Sequence, residues 1–152
     1  MKKIFTYFGI ILLFLIIPAA LSFVPIGNNI ILLKYNNDLE RVILNADYKV
    51  LARDSKCGKL IGNGNGMQYF SALLIQSEET LKWENNDFEG VFLIDITDDS
   101  FSDLIGDYNL DEHNSDFMKK LKEIENPDNY YVIYSFYCAD LNSIWNSDLR
   151  AH

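Results

Sequence analysis

The chain has little of the chemistry that enzymes and metal sites use. Its 152 residues include two histidines, His113 and His152. We find no Gly-x-Ser-x-Gly, His-Glu-x-x-His or Cys-x-x-Cys motif. His113 follows Asp111 and Glu112, but a catalytic triad is defined by geometry across the fold and not by neighbours in sequence. The sequence therefore predicts no catalytic residue, no metal ligand and no cofactor.

Basic residues are also scarce. The chain has 13 Lys and Arg against 22 Asp and Glu, which gives a formal net charge of −9 at pH 7. Such a surface repels nucleic acid and attracts basic proteins through long-range electrostatics. We therefore expect no nucleic-acid partner, and a basic protein is the partner that the charge favours. Plain solubility is the alternative explanation of the same charge.

There are only two cysteines, Cys57 and Cys138. An even number of cysteines in an exported chain predicts one disulfide, because that compartment permits oxidation. The bond would close a long loop in the unfolded chain, and chain-entropy arguments give such a bond about 4–5 kcal/mol of added folding stability. Two free thiols are the alternative.

Ionisable acids and bases are missing from residues 4–24, which follow two lysines at the start of the chain. A positive start, an apolar core and the small residues Ala20 and Ser22 are typical of a secretory signal that is cleaved after Ser22. The same run is long enough for an uncleaved anchor, and its lysines would keep the short end in the cytoplasm. Either interpretation exports the domain, which is then periplasmic or secreted, or anchored to the inner membrane. Residues 4–24, if uncleaved, are the only membrane contact that we predict.

Composition predicts one globular domain behind that segment. Hydrophobic residues make up 49% of the chain and aromatic residues 14%, too many for a disordered protein. We divide the chain into a signal peptide or anchor (1–22), a linker (23–29) and a single extracytoplasmic domain (30–152). Runs of strands with helices inserted late predict an α+β fold. We expect a mostly antiparallel sheet of about five or six strands, with two or three short helices on one face.

Periodicity places the individual elements. Alternation of apolar and polar residues indicates strands, and apolar residues three and four apart indicate helices. The predicted strands are residues 30–34, 39–45, 47–53, 67–76, 88–97 and 130–139. The predicted helices are residues 78–85, 115–125 with Asn114 or Ser115 as the N-cap, and a short one around Ile144 and Trp145. Residues 95–116 are predicted to be an acidic loop.

A glycine-rich stretch precedes the strand at 67–76 and consists of Gly62, Asn63, Gly64, Asn65 and Gly66. It lacks the Lys-Ser/Thr of a phosphate loop and does not open a helix as a dinucleotide-binding loop does. A turn into the strand is the plain interpretation. A binding loop is the alternative, since loops on a rigid sheet often carry contacts.

The acidic stretch does not fit an EF-hand, because Glu112 and Met118 stand where that calcium loop needs glycine and glutamate. We interpret it as a solvated loop that meets a basic partner. Tyrosine and tryptophan often dominate protein interfaces, so we add three aromatic residues to the candidate set. The predicted partner-binding residues are Trp83, Asp98, Asp99, Asp103, Asp107, Tyr108 and Trp145.

These features predict an exported, acidic, non-enzymatic envelope protein that binds another protein, for example as an inhibitor or an immunity-like protein. The alternative is a small extracytoplasmic hydrolase or ligand-binding protein that uses the loop at 62–66 and nearby acidic residues. A third hypothesis, a structural domain held at the membrane, gains weight if residues 1–22 are retained.

Overall fold

The fold is α+β, with a four-stranded antiparallel sheet and three α-helices among the described residues. The computed structural model describes residues 7, 23–60, 66–83, 90–107, 115–139 and 143–151, without the side chains of residues 107, 147 and 151. The predicted fold class is confirmed at this level. The sheet has four strands in this part of the chain, where the sequence predicts five or six.

The sheet has the strand order β1-β2-β4-β3, so β2 and β4 are its inner strands. All three pairings are antiparallel, and Leu73 of β2 lies opposite Ile133 of β4. In chain order the elements are α1 (residues 23–39), β1 (Lys49–Gly58), β2 (Gln68–Gln76), β3 (Val91–Asp95), α2 (Asp99–Asp107), α3 (Asp116–Lys122) and β4 (Tyr130–Cys138). Two 3₁₀ helices, Ile144–Ser147 and Leu149–Ala151, form the tail.

The inner strands are apolar on both sides, and both faces of the sheet are covered. β2 buries Phe70 and Leu74 on one face and Tyr69 and Ile75 on the other, all at 1% exposure or less. An inner strand of this kind needs a layer on each side to exclude water. The expectation that the helices share one face is therefore wrong.

The helices α2 and α3 cover the first face. Phe101 and Leu104 of α2 and Phe117 of α3 pack with Phe70 and Leu74 of the sheet. α3 begins at the N-cap Ser115, whose hydroxyl accepts a hydrogen bond of 3.2 Å from the backbone N–H of Met118. This confirms the predicted cap.

The helix α1 and the segment that follows it cover the second face. Leu39 and Leu81 pack with Ile75 and Ile133 there. Towards the start of α1, Tyr35 packs against Tyr69. Inward-facing residues recur at positions 28, 31, 32, 35 and 39, which is the spacing of one helix face.

Residues 23–39 correct two predictions, since the helix α1 replaces the linker at 23–29 and the strand at 30–34. Short apolar runs fit a strand and a buried helix equally well when periodicity is the only guide. The predicted strand at 39–45 contributes only one isolated bridge, from Leu44 to Trp83. The division of the chain into export segment and exported domain stays a prediction.

Two further elements differ from prediction. Residues 78–83, predicted as part of a helix, are irregular. Their backbone bonds to the segment after α1 instead: the Asn45 side chain bonds the Thr80 carbonyl and the Lys82 N–H, and Trp83 forms a bridge with Leu44. The predicted acidic loop contains the helix α2. β2, β4, α3 and the helical turns around Trp145 lie where the sequence predicts them.

Among the described residues, no helix is both long enough and apolar enough to cross a membrane. The predicted export segment, residues 1–22, lies outside the description except for Tyr7.

Candidate functional site

Four aspartates lie where β3 ends and α2 begins, and we call them the acidic patch. Asp95 is the last residue of β3, Asp98 directly precedes α2, and Asp99 and Asp103 lie one helical turn apart on α2. Asp95 is half-buried and the other three are exposed. Residues four apart share one face of a helix, so α2 presents two of these carboxylates together.

Local hydrogen bonds orient two of the patch carboxylates. Asp95 Oδ1 accepts from the Thr97 backbone N–H at 2.8 Å and from its hydroxyl at 2.7 Å. Asp98 Oδ1 accepts from the Ser100 N–H at 2.9 Å and from its hydroxyl at 2.7 Å. The bonds from Ser100 lower the pKa of Asp98 below its ordinary value. Both side chains are therefore fixed, and Asp98 stays ionised at neutral pH.

One side of α2 is buried and the other carries the patch residues to the surface. Phe101 and Leu104 point into the core, whereas Asp99, Ser102 and Asp103 are exposed. In the described part of the chain, no ion pair involves a patch carboxylate. The patch therefore presents its negative charge to solvent without a neutralising cation beside it.

An open groove of about 780 Å³ lies at the same end of the sheet and is lined by further acidic side chains. It runs along residues 44–49 and 76–79, and Asp47, Glu78 and Glu79 line it. β1 begins and β2 ends beside this groove, and the register places the end of β3 at the same edge. We call this the acidic end of the sheet.

The predicted aromatic residues do not join the patch. Trp83 packs beneath the opposite face of the sheet, in the cluster that contains Leu39 and Leu81. Trp145 lies at the other end, stacked on Phe23 with ring centroids 6.4 Å apart. Asp107 ends α2 with its side chain outside the description, and Tyr108 lies outside it entirely. The predicted partner-binding set is thus divided among separate places.

Most of the glycine-rich loop lies outside the described residues: Gly62, Asn63, Gly64 and Asn65. Gly66 is described, and it lies against the tail, where the Met67 N–H donates to Asn146 Oδ1 at 2.7 Å. This is the Gln68 end of β2, a strand of nine residues. A strand of that length spans about 30 Å, so Gly66 and the acidic patch lie at opposite ends of the sheet.

The structure does not join Cys57 and Cys138, the pair predicted to form a disulfide, and both are free thiols in it. Cys57 of β1 lies opposite Tyr69, whereas Cys138 of β4 lies opposite the adjacent residue, Gln68. The two cysteines are therefore on opposite faces and are separated by β2, about 10 Å across two strand spacings. A disulfide requires Cα atoms within about 7 Å. An even count of cysteines carries no information about the face on which each one lies.

Neither thiol is activated. Burial raises the pKa of Cys57, and the nearby Arg150 guanidinium offsets only part of that shift. Burial also raises the pKa of Cys138, although a hydrogen bond with Gln68 lowers it in part. A reactive cysteine needs a lowered pKa that favours the thiolate. Both side chains are thus protonated at neutral pH.

Sequence reasoning missed a buried polar network at the Gln68 end, formed by Asn28, Tyr69, Asp148 and Arg150. Asn28 of α1 is 0% exposed. The Tyr69 hydroxyl donates to Asn28 Oδ1 at 2.6 Å, and Asn28 Nδ2 donates to Asp148 Oδ2 at 2.9 Å. The Arg150 guanidinium pairs with the same carboxylate at 2.7 Å. These bonds join the first helix, the sheet and the tail.

The electrostatics of the network suit a structural role. The hydrogen bonds from Arg150 lower the pKa of Asp148 to about 2, although its burial opposes that shift. Burial raises the pKa of Tyr69 above its ordinary range, so the hydroxyl keeps its proton and remains a donor. Every bond in the network therefore holds at neutral pH. The sequence signal is the run Gly27, Asn28 and Asn29 between apolar residues, which lies in the segment predicted to be a linker.

No group of three or more His, Cys, Asp or Glu side chains in the described ranges is placed to hold a metal ion. Comparisons with protein-family models, with curated proteins and with solved structures gave no match to this chain.

Proposed function

We propose that this is an exported, non-enzymatic protein that binds a basic protein partner through its acidic patch. The observation that carries the proposal is the outward face of α2, where Asp99 and Asp103 stand exposed with no cation paired to them in the described chain. Asp98, held by Ser100, extends the same surface. Lysine and arginine side chains of a partner would supply the missing counter-charges.

The distribution of charge supports this choice of surface. Asp47, Glu78 and Glu79 add negative charge at the acidic end, along its groove. At the opposite end the exposed Lys59 and Arg150 lie together, with the Lys59 N–H bonded to the Arg150 carbonyl at 2.6 Å. A molecule polarised in this way attracts a basic partner to one end and orients it as it approaches.

Stability does not explain the acids on α2. Like charges four residues apart on a helix are destabilising by a few tenths of a kcal/mol. Asp99 interacts favourably with the start of the helix, but Asp103 has no such benefit because the helix dipole acts only within the first turn. The fold does not need the charge of Asp103, which leaves binding or solubility as its role, and the proposal assigns it to binding. An inhibitor or immunity-like protein that neutralises a basic hydrolase or toxin would use such a surface.

The test is affinity capture from envelope extract with three forms of the tagged full chain. The first is wild type, and the second carries Asp98→Asn, Asp99→Asn and Asp103→Asn. The third is a control of equal charge, Glu123→Gln, Glu125→Gln and Asp128→Asn, which changes three exposed acids outside the patch. We expect wild type and the control to capture the same basic protein at low salt, and the patch variant to lose it.

Equal recovery by all three forms would show that the patch is not the binding surface. Recovery of nothing by wild type at low salt would count against a protein partner altogether. The alternative function, a small hydrolase or ligand-binding protein, stays a prediction, because four of the five residues of its loop lie outside the described chain.

A further inference from the structure

The outer face of α1 carries an apolar stripe, which we define as Phe23, Ile26, Ile30 and Leu33. These side chains are 61%, 57%, 62% and 57% exposed. At 100° per residue they fall within an arc of about 80° on the helix surface. They therefore form one continuous strip along the first three turns of the described helix.

The inner face of the same helix is mostly apolar, apart from the buried Asn28. Ile31, Leu32 and Tyr35 pack on the sheet, opposite the stripe. Two opposite faces of α1 therefore carry apolar side chains, and an apolar helix face is normally buried against protein or in contact with lipid. The sheet covers one side of α1, whereas the stripe touches only Trp145, through Phe23, and its four side chains stay more than half exposed among the described residues.

The preceding sequence indicates what covers it. Residues 4–22 contain no acid or base and run directly into Phe23. An apolar segment of this kind, if retained, holds the start of α1 at a bilayer. The stripe begins where that segment ends, so with the segment retained it starts at the membrane surface.

The surroundings of the stripe match a lipid surface. The tail packs against the same half of α1, and its Ile144 and Leu149 are 64% and 88% exposed. Lys34, Lys59 and Arg150 supply exposed cations at this end, as is typical of helices that lie in the interface of a membrane. The acidic patch lies at the far end of the sheet, away from anionic lipid.

We propose that the apolar stripe of α1 rests on the lipid bilayer, so that the Gln68 end of the domain contacts the membrane and the acidic patch at the opposite end faces away from it. The partner proposed above would then bind to the end of the domain that projects from the membrane. The stripe makes this contact whether or not the patch has a partner, so the two proposals fail independently.

The two tryptophans provide the test, because they lie at opposite ends of the domain. Trp145 stacks on Phe23 of the stripe, whereas Trp83 is bridged to Leu44 at the acidic end. The full chain is reconstituted in phosphatidylcholine vesicles, with and without bromine on the acyl chains near the head groups. The variant Trp83→Phe reports on Trp145, and Trp145→Phe reports on Trp83. We expect brominated lipid to reduce the emission of Trp145 by about twofold or more and to leave that of Trp83 nearly unchanged.

A stripe variant separates the stripe from the preceding apolar segment. In the Trp83→Phe background, Ile26→Gln, Ile30→Gln and Leu33→Gln make the stripe polar and keep good helix formers. We expect quenching of Trp145 to fall to the level of Trp83. Ile43→Gln, at a residue that is 60% exposed outside the stripe, is the control and should change nothing. Circular dichroism verifies that each variant is folded.

Three results would overturn the proposal. Equal quenching of both tryptophans would show that the domain has no fixed orientation on the bilayer. Undiminished quenching in the stripe variant would show that the preceding segment alone holds Trp145 near lipid. Unquenched Trp145, together with a dimer that sediments in mild detergent and dissociates in the stripe variant, would show that a second copy of the chain covers the stripe.

Discussion

The two ends of the sheet differ in the range of the hydrogen bonds that hold them. At the Gln68 end, the bond between Asn28 and Asp148 joins residues 120 positions apart in sequence. At the acidic end, Asp95 and Asp98 bond to residues only two positions away. Hydrogen bonds between residues distant in sequence hold the fold together, whereas a bond between residues two positions apart only orients a side chain. We therefore expect substitutions at the first end to affect stability, and substitutions at the second to affect binding.

The largest expected effect is at Asn28. Asn28→Ala removes the acceptor of the buried Tyr69 hydroxyl and one donor to Asp148, and it leaves a cavity. We expect a loss of about 3 kcal/mol in the free energy of unfolding, measured by urea denaturation. The neighbouring Asn29→Ala, at an exposed residue, is the matched control and should cost less than about 1 kcal/mol. Equal losses at the two positions would contradict the role of the network.

The second-largest effect is a loss of folding stability at low pH, when Asp148 becomes protonated. The folded-state pKa of Asp148 lies near 2, below its ordinary value of 3.8, so its contribution is complete above about pH 4 and is lost as pH falls towards 2. We expect this contribution to be about 1–2 kcal/mol, because the partly exposed Arg150 is screened by solvent. The measurement is the stability of wild type minus that of Asp148→Asn between pH 2 and pH 6. A difference that does not change with pH would rule out this linkage.

The third effect tests the contact of α1 with the tail. A Cβ on Gly27 would clash with the ring of Trp145. We expect Gly27→Ala to lower stability by about 1 kcal/mol, since a clash of about 1–3 kcal/mol outweighs the gain in helix propensity. In a Trp145→Ala background the clash is absent, and Gly27→Ala should then stabilise. Thermal unfolding of all four proteins completes the cycle. Additive effects would show that the two residues do not touch.

The smallest effect concerns the cysteines. Since Cys57 and Cys138 are free thiols on opposite faces, reductant should leave the unfolding midpoint unchanged. Alkylation after denaturation without reductant should add two groups to each chain, as read by intact mass. A mass with no added groups would show that an intramolecular disulfide forms after all.

The sequence predicted the elements whose signals are local. β2 and β4 are long runs of apolar and aromatic residues, and the hydroxyl of Ser115 caps α3 as such residues commonly do. The helix α1 was mistaken for a linker and a strand, because its two apolar faces obscure the helical period. The helix α2 was mistaken for a loop, because Phe101 and Leu104 are its only fully buried apolar residues.

The candidate site was predicted only in part, for a related reason. Asp98, Asp99 and Asp103 are close in sequence and lie together in the fold. Trp83 and Trp145 were grouped with them, yet the chain places both elsewhere. Which residues share a face depends on strand order and register, and these are set by contacts distant in sequence. The buried network of Asn28 was beyond prediction for the same reason.

The most direct test of the central claim, that the acidic patch serves binding, is calorimetric titration of the captured partner into the patch variant and its charge-matched control. We expect the patch variant to bind about tenfold or more weakly than wild type, with a reduced dependence on salt. The control should match wild type. Equal affinity of the patch variant and the control would contradict the claim, because net charge alone, and not Asp98, Asp99 and Asp103, would then account for binding.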